Sequence, residues 1–144
     1  MVKWIVLAAV LIGVIIQFVQ PERSNPPTEP GASYEAIARP APELAAVLRH
    51  ACYDCHSNQT AWPWYSRISP VSWLIARDVK RGRAHLNFSE WNRYSPDAAR
   101  RRIEEACEEV REGNMPLKSY RLMHRGARLG PREADLICQA PPGR

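Results

Sequence analysis

The chain has 144 residues, 45% of them hydrophobic and 24% charged, with a formal charge of +5. These 144 residues allow one small folded domain with appendages, and the composition is globular.

Met1-Val2-Lys3 precedes an apolar run from Trp4 to Val19, broken only by Gly13 and Gln17. Such a run is a signal peptide or a short membrane span, and either puts the remainder outside the cytoplasm. No small-x-small cleavage site follows, because the run leads into Phe18-Val19-Gln20-Pro21-Glu22-Arg23, so an uncleaved anchor over residues 1–20 is expected. Its apolar length is at the lower limit for a bilayer, roughly 17 residues, which places Trp4 and Gln20 at the two interfaces. Lys3 argues for a cytoplasmic N-terminus. Residues 21–41 hold Pro21, Pro26, Pro27, Pro30 and Pro40 among polar residues. Proline fixes φ and removes a donor, so this segment is expected to be an extended, semi-stiff tether that lets the domain swing, with Tyr34 and Ile37 docking on the domain's edge.

The domain itself is expected over residues 42–144. Pro42 and Glu43 open a helix whose Leu44, Val47 and Leu48 recur at helical spacing and run directly into Cys52. The loop-like stretch from Ser57 to Ser66 follows. Ser69-Pro70 reads as an N-cap with proline at the first helical position, and Val71, Leu74, Ile75 and Val79 as the buried stripe of a second helix ending near Gly82. Ser95-Pro96 repeats the device, with Ala99, Ile103, Ala106, Cys107 and Val110 inward and Gly113 as the stop. A last helix is expected from Pro131 to about Gln139, with Leu136 and Ile137 inward. No stretch alternates as a strand does, so the expected fold class is all-α, a small helical domain behind one N-terminal transmembrane helix.

Ala51-Cys52-Tyr53-Asp54-Cys55-His56-Ser57 contains Cys-x-x-Cys-His, the spacing that holds a haem covalently. Two thiols three positions apart each add to a haem vinyl group, and the histidine after the second then lies beneath the iron. Cys52 and Cys55 are therefore the expected thioether residues and His56 the proximal ligand. Two other readings share the residues. A thioredoxin-like dithiol needs a βαβ setting absent here, and a zinc site needs Cys107 and Cys138 to complete four sulfurs, although they do not form a second paired knuckle.

Ala51 to Asn58, Trp62-Pro63-Trp64-Tyr65, Pro70-Val71-Ser72-Trp73-Leu74, His85 to Trp91 and Asn114-Met115-Pro116 together resemble the bacterial haem-binding domain family of membrane-anchored, c-type-cytochrome-like proteins. The resemblance runs from about residue 40 to the C-terminus and implies a periplasmic domain behind one N-terminal span, carrying a covalent haem. Leu117 departs from that pattern, where another proline or small residue is expected, and the pair Cys107 and Cys138 is additional to it.

Met115-Pro116, after a helix stop and well downstream of the motif, is placed as a cytochrome c loop that brings a thioether to the far side of the iron. Met115 is the preferred sixth ligand, and His56 and Met115 are the expected metal ligands. The alternatives are His85 or His124, an open site, or a Met115 that merely fills a core gap. His50 is on the wrong face, and Met123 is expected in the core. Trp62, Trp64 and Tyr65 are expected to wall the porphyrin, within an aromatic set that includes Trp73, Trp91 and Tyr94, with Trp73 expected in the core. Arg77, Lys80, Arg81 and Arg83 form either a solvated face or a patch for propionates or an acidic partner. Arg100 to Arg102 and the acids from Glu104 to Glu109 read as i,i+4 pairs.

The expected function is single-electron transfer by one covalent haem c on a domain in the periplasm, held at the bacterial inner membrane by residues 4–19. The expected partner is a redox protein in or at that membrane, and no nucleic-acid partner is expected. A sensor or peroxidase-like protein with an open or His-ligated distal site, or a zinc scaffold, is the alternative. Cys107 and Cys138 both face inward on helices and are expected to form a disulfide, closing a loop of about 30 residues and adding roughly 3 kcal/mol, or else to be two inert buried thiols.

Overall fold

The structure, a computed structural model, describes residues 1–143, so Arg144, the last residue of the expected domain, lies outside it. Eight helices succeed one another among these residues, with no strand. They are α1 (Val2–Ile15), α2 (Tyr34–Ala38), α3 (Pro42–Ala51), α4 (Tyr53–His56), α5 (Val71–His85), α6 (Pro96–Arg111), α7 (Lys118–Met123) and α8 (Pro131–Cys138). Short 3₁₀ turns at Ile16–Phe18, Trp64–Arg67, Phe88–Arg93 and Arg125–Ala127 join them.

Several boundaries follow from local chemistry. The Ser95 hydroxyl accepts from the Ala98 N–H, and Pro96 supplies the fixed φ of the first turn of α6. Gly113, at φ 73°, takes the left-handed turn that ends it. Pro131 opens α8, where the Gly130 N–H donates to the Glu133 carboxylate at 2.9 Å. Other expectations give way to longer-range partners. Ser69 does not cap α5, because its hydroxyl lies 3.0 Å from that of Ser72 and accepts from Gln20, and Pro70 takes the cap position instead. Gly82 is not a stop, since α5 continues to His85. The stripe on α5 is only partly buried: Val79 and Ser72 are inside, while Val71 and Leu74 are exposed.

The core is aromatic at its centre. Tyr34 packs edge-on against Trp91 at 4.8 Å and Phe88 at 5.5 Å, and Phe88 stacks between Tyr53 and Trp91. Leu44 and Leu48 of α3, Ile103 of α6 and Ile137 of α8 close around this cluster. Each buried polar tip finds an acceptor, with Tyr34 donating to the Pro141 carbonyl and the Trp91 indole to that of Pro142. Tyr34 is thus wholly buried core, where docking on an edge was expected, and the C-terminal prolines are held by aromatic donors.

The N-terminal segment departs from the expected swinging tether. It is extended, as its prolines require, but it lies along the domain. Arg83 donates to the carbonyls of Ser57 and Ser24, to the Asn25 side chain and to the Thr60 hydroxyl, all at 2.8–2.9 Å. Asn25 donates to the Thr60 carbonyl, and Arg23 to that of Ser66. Arg83 is therefore a clamp between the linker and the loop after the motif, where a solvated face or propionate patch was one expectation. The apolar run forms α1 and its 3₁₀ turn; no helix among the described residues is long and apolar enough to cross a membrane.

Cys107 and Cys138 are joined by a disulfide, with Cα atoms 4.6 Å apart, which staples α6 to α8. Removing it by Cys107→Ala with Cys138→Ala is expected to lower unfolding stability by about 3 kcal/mol, since a bridge over this separation restricts the unfolded chain. Denaturant unfolding of the double variant beside the oxidised and reduced parent checks this, and equal stability of all three would contradict it.

Candidate haem site

The motif does not simply close α3. That helix ends at Ala51, Cys52 leaves helical geometry with φ −122°, and the motif forms a turn of its own, α4. The Cys52 carbonyl accepts from the N–H groups of Cys55 and His56, at 3.1 and 2.8 Å, which winds both thiols and the imidazole onto one turn. The break allows Tyr53 to turn inward onto Phe88, with its hydroxyl donating to Glu35 at 3.0 Å.

Helix α5 crosses directly over this turn. Gly82 sits against the backbone of Cys55, so closely that a Cβ built there would fall on the Cys55 carbonyl. The same crossing sets His56: its Nδ1 is 3.1 Å from the Leu86 carbonyl. A carbonyl only accepts, so the proton resides on Nδ1 and the Nε2 lone pair is left free, as ligation requires. Burial lowers the His56 pKa below the ordinary imidazole value, against the pull of the Leu86 and Gly82 carbonyls, and keeps the ring neutral. The loop beyond is locked by buried polar pairs. Asn87 donates to the Asn58 side-chain oxygen at 2.9 Å, and Ser89 accepts from the Asn58 N–H at 2.9 Å.

Two adjoining cavities, about 410 and 590 Å³, flank this turn and share Ala51, His56, His85, Met115 and Pro116 in their walls. Cys52 opens on the first and Cys55 on the second. Leu48, Leu86, Phe88, Ile103, Val110 and Ile137 make the first strongly apolar. Met115 lines both cavities from the loop after α6, which is held where the Glu109 carbonyl accepts both the Asn114 and Met115 N–H groups, at 2.9 and 3.0 Å.

Cys52, Cys55, His56 and Met115 therefore converge on one cleft. Trp62, Trp64 and Tyr65 do not. Arg83 and the Asp54 carboxylate, which accepts the Ala61 N–H at 2.9 Å, turn their loop outward. Trp62 bonds Asn25, Trp64 is 72% exposed, and Tyr65 lines with His124 a neighbouring groove that meets the second cavity at Cys55 and Tyr120. His124, stacked on Tyr120 at 4.1 Å, stands outside the cleft, whereas His85 opens on both cavities and lies 3.5 Å from Glu105. Trp91 and Tyr94 belong to the aromatic core, Trp73 is exposed with its indole on the Val19 carbonyl, and Met123 is exposed. The sequence reading missed Phe88, Ile103 and Ile137 as cleft walls. Their helical or aromatic pattern marks them as buried but carries no sign of which cavity they face.

The chemistry of this donor set is specific. Burial pushes the Cys52 thiol up to about 12, and burial with the nearby Asp54 and Asp78 charges pushes that of Cys55 up to about 11. These are neutral thiols, unlike the low-pKa nucleophile of a disulfide exchanger. Cys107 and Cys138 are committed to each other, so they cannot complete a four-sulfur zinc site. A neutral imidazole and a thioether in the walls of an apolar slot suit an iron porphyrin, and Arg81 at the wall of the second cavity would offer a cation to its propionates, while Arg102 at the first is paired with Glu105.

An all-helical domain built around a Cys-x-x-Cys-His turn and such a cleft defines a small haem-binding protein. The chain belongs to the haem-binding domain family, which it matches over residues 11–140. No curated protein and no solved structure matches it significantly.

Gly82→Ala is expected to force α5 off the Cys55 backbone, lowering stability by about 1–3 kcal/mol as overpacking does and reducing the haem content of the purified protein. Gly126→Ala, where a Cβ meets nothing within 4 Å, is the control and should match the parent in both. Haem absorbance per protein and thermal unfolding of the two variants decide it.

Proposed function

We propose that this domain holds one haem covalently and passes single electrons at the outer face of a bacterial inner membrane. The observation that carries the reading is that His56 and Met115 line both of two adjoining apolar cavities, with Cys52 opening on one and Cys55 on the other. When bound, the haem supplies a one-electron redox centre. The residues of the chain do the rest. Cys52 and Cys55, held neutral on one turn, are the thiols that would form thioethers. His56, oriented by Leu86, would offer its Nε2 to the iron, and Met115, in the wall of both cavities, would offer its sulfur. Leu48, Phe88, Ile103 and Val110 exclude water, which favours the reduced state of a buried centre.

The anchor is part of this proposal. From Val2 to Phe18 the chain is helical, and its apolar side chains are exposed on every side, an extent of bare apolar surface that a water-soluble protein rarely carries. At 1.5 Å per residue the α1 and 3₁₀ segment reaches about 25 Å, near the hydrocarbon thickness. A redox protein in or at that membrane is the partner this placement implies.

A second reading rests on His85, whose position on both cavities beside Glu105 suits a distal ligand or an acid–base group at an open iron position. Acid-acetone extraction of the protein matured with haem should leave the haem on the chain, and Cys52→Ala with Cys55→Ala should release it. Met115→Ala is expected to abolish the sulfur-to-iron charge-transfer band and lower the reduction potential, because a thioether favours reduced iron. A spectrum unchanged by Met115→Ala but altered by His85→Ala would transfer the ligand role to His85.

A further inference from the structure

Apart from the cleft, one side of the domain carries an apolar face that the haem reading does not use. Trp64, Ile68, Val71, Leu74, Leu122 and Met123 are all exposed, Trp64 and Leu122 at 72% each. Val71, Leu74, Leu122 and Met123 line a shared groove of about 460 Å³ between α5 and α7. Contiguous bare apolar surface of this kind marks a contact with another phase or molecule.

What identifies the occupant is the attachment of this face to the end of the apolar N-terminal helix. The Gln17 side chain donates to the Ser69 carbonyl and accepts from the Ser69 N–H, both at 3.0 Å. Gln20 donates to the Ser69 hydroxyl at 3.0 Å, and the Trp73 indole donates to the Val19 carbonyl at 2.6 Å. The start of α5 is thereby pinned at the depth where the apolar run stops. The interfacial layer on each side of a bilayer is about 5–8 Å thick, and one helical turn rises about 5.4 Å, so the first turns of α5 fall within that layer or at its edge. Trp73 and Trp64 are the residue type that such layers favour. Arg23, which donates to the Ser66 carbonyl, with Arg67 and Arg77 beside the face, brings cations to the level of lipid phosphates.

We propose that the face formed by Trp64, Ile68, Val71 and Leu74 with Leu122 and Met123 is seated in the headgroup layer of the membrane that α1 enters. This rests on the anchor reading above and deepens it: the domain is fixed on the lipid surface instead of swinging above it. Because Cys55 and Tyr120 line both this groove and the second cavity, the seat brings that edge of the cleft to the bilayer, where a partner within the membrane plane would approach it.

The test uses the full chain with its haem, in nanodiscs of phosphatidylethanolamine and phosphatidylglycerol that contain a lipid with a diazirine near the glycerol. After photolysis, peptide mapping is expected to find lipid adducts on residues 2–18 and also on residues 64–74 and 122–123. Ile68→Glu with Leu74→Glu, two exposed sites, should abolish the adducts on the second set while sparing those on α1 and the haem content. Adducts confined to α1 would overturn the seat and leave the anchor standing. Absence of adducts on both, with release of the protein by alkaline carbonate, would remove the anchor and the seat together. Crosslinks from this face to a second copy or another protein, with no lipid adducts there, would assign it to a protein partner and also overturn the proposal.

Discussion

The site depends on how closely α5 approaches the motif turn. Gly82 has no Cβ, so the helix rests on the Cys55 carbonyl itself, and the placement of His56 and of the loop after it follows from that contact. One turn on, the chain leaves α5 at Leu86, whose carbonyl then meets His56 Nδ1 at 3.1 Å. Asn87 and Ser89, the next polar residues, bond to Asn58 just past the motif. A side chain at residue 82 would separate these two strips of backbone, and the imidazole would lose the acceptor that sets its tautomer. The crossing is thus both a packing contact and the source of the hydrogen bond that fixes the tautomer and orientation of the His56 ring.

The aromatic residues divide between two tasks, and the division follows from their polar tips. Tyr34 and Trp91 carry an O–H or N–H that must be satisfied when buried, so they sit where the Pro141 and Pro142 carbonyls can receive them, and neither lines the cavities beside the motif. Phe88 has no such requirement. It lies between the core stack and the cavity, where a purely apolar face excludes water without presenting a donor to compete for the iron. Among the described residues no buried side-chain polar atom lacks a partner, so the cleft's apolar character is not offset by orphaned groups behind it.

Local chemistry was legible in the sequence, and non-local pairing was not. Ser95-Pro96, Gly113 and Pro131 announce helix ends because a cap, a left-handed turn and a fixed φ are decided within a few residues. The Cys52, Cys55 and His56 spacing is local in the same sense, and so is Met115 after its helix stop. Ser69-Pro70 carries the same signal yet fails, since Gln17 and Gln20, some fifty positions upstream, claim the Ser69 hydroxyl and backbone. The stripe Val71, Leu74 and Ile75 has helical period, but periodicity reports an apolar face and not what covers it. Trp62, Trp64 and Tyr65 were assigned to the porphyrin by density alone, whereas the loop's direction is set by Asp54 and Arg83, whose partners are scattered along the chain.

The two sides of the cleft are held by different means, and that difference bears on how the cleft keeps its width. His56 is positioned by a helix crossing and a buried polar network, all within residues 52–89. Met115 hangs from the C-terminal end of α6, through the two N–H groups that the Glu109 carbonyl accepts. Cys107 lies half a turn before Glu109, and its bond to Cys138 ties that end of α6 to α8, which in turn packs Ile137 into the wall of the same cavity. The covalent staple therefore sits behind the Met115 wall, which is carried on a loop, and not behind the His56 wall, where hydrogen bonds and close packing already restrict motion. A cleft whose loop-borne wall is braced by a disulfide can hold its sulfur in place before a cofactor arrives, which lowers the ordering entropy that binding must overcome.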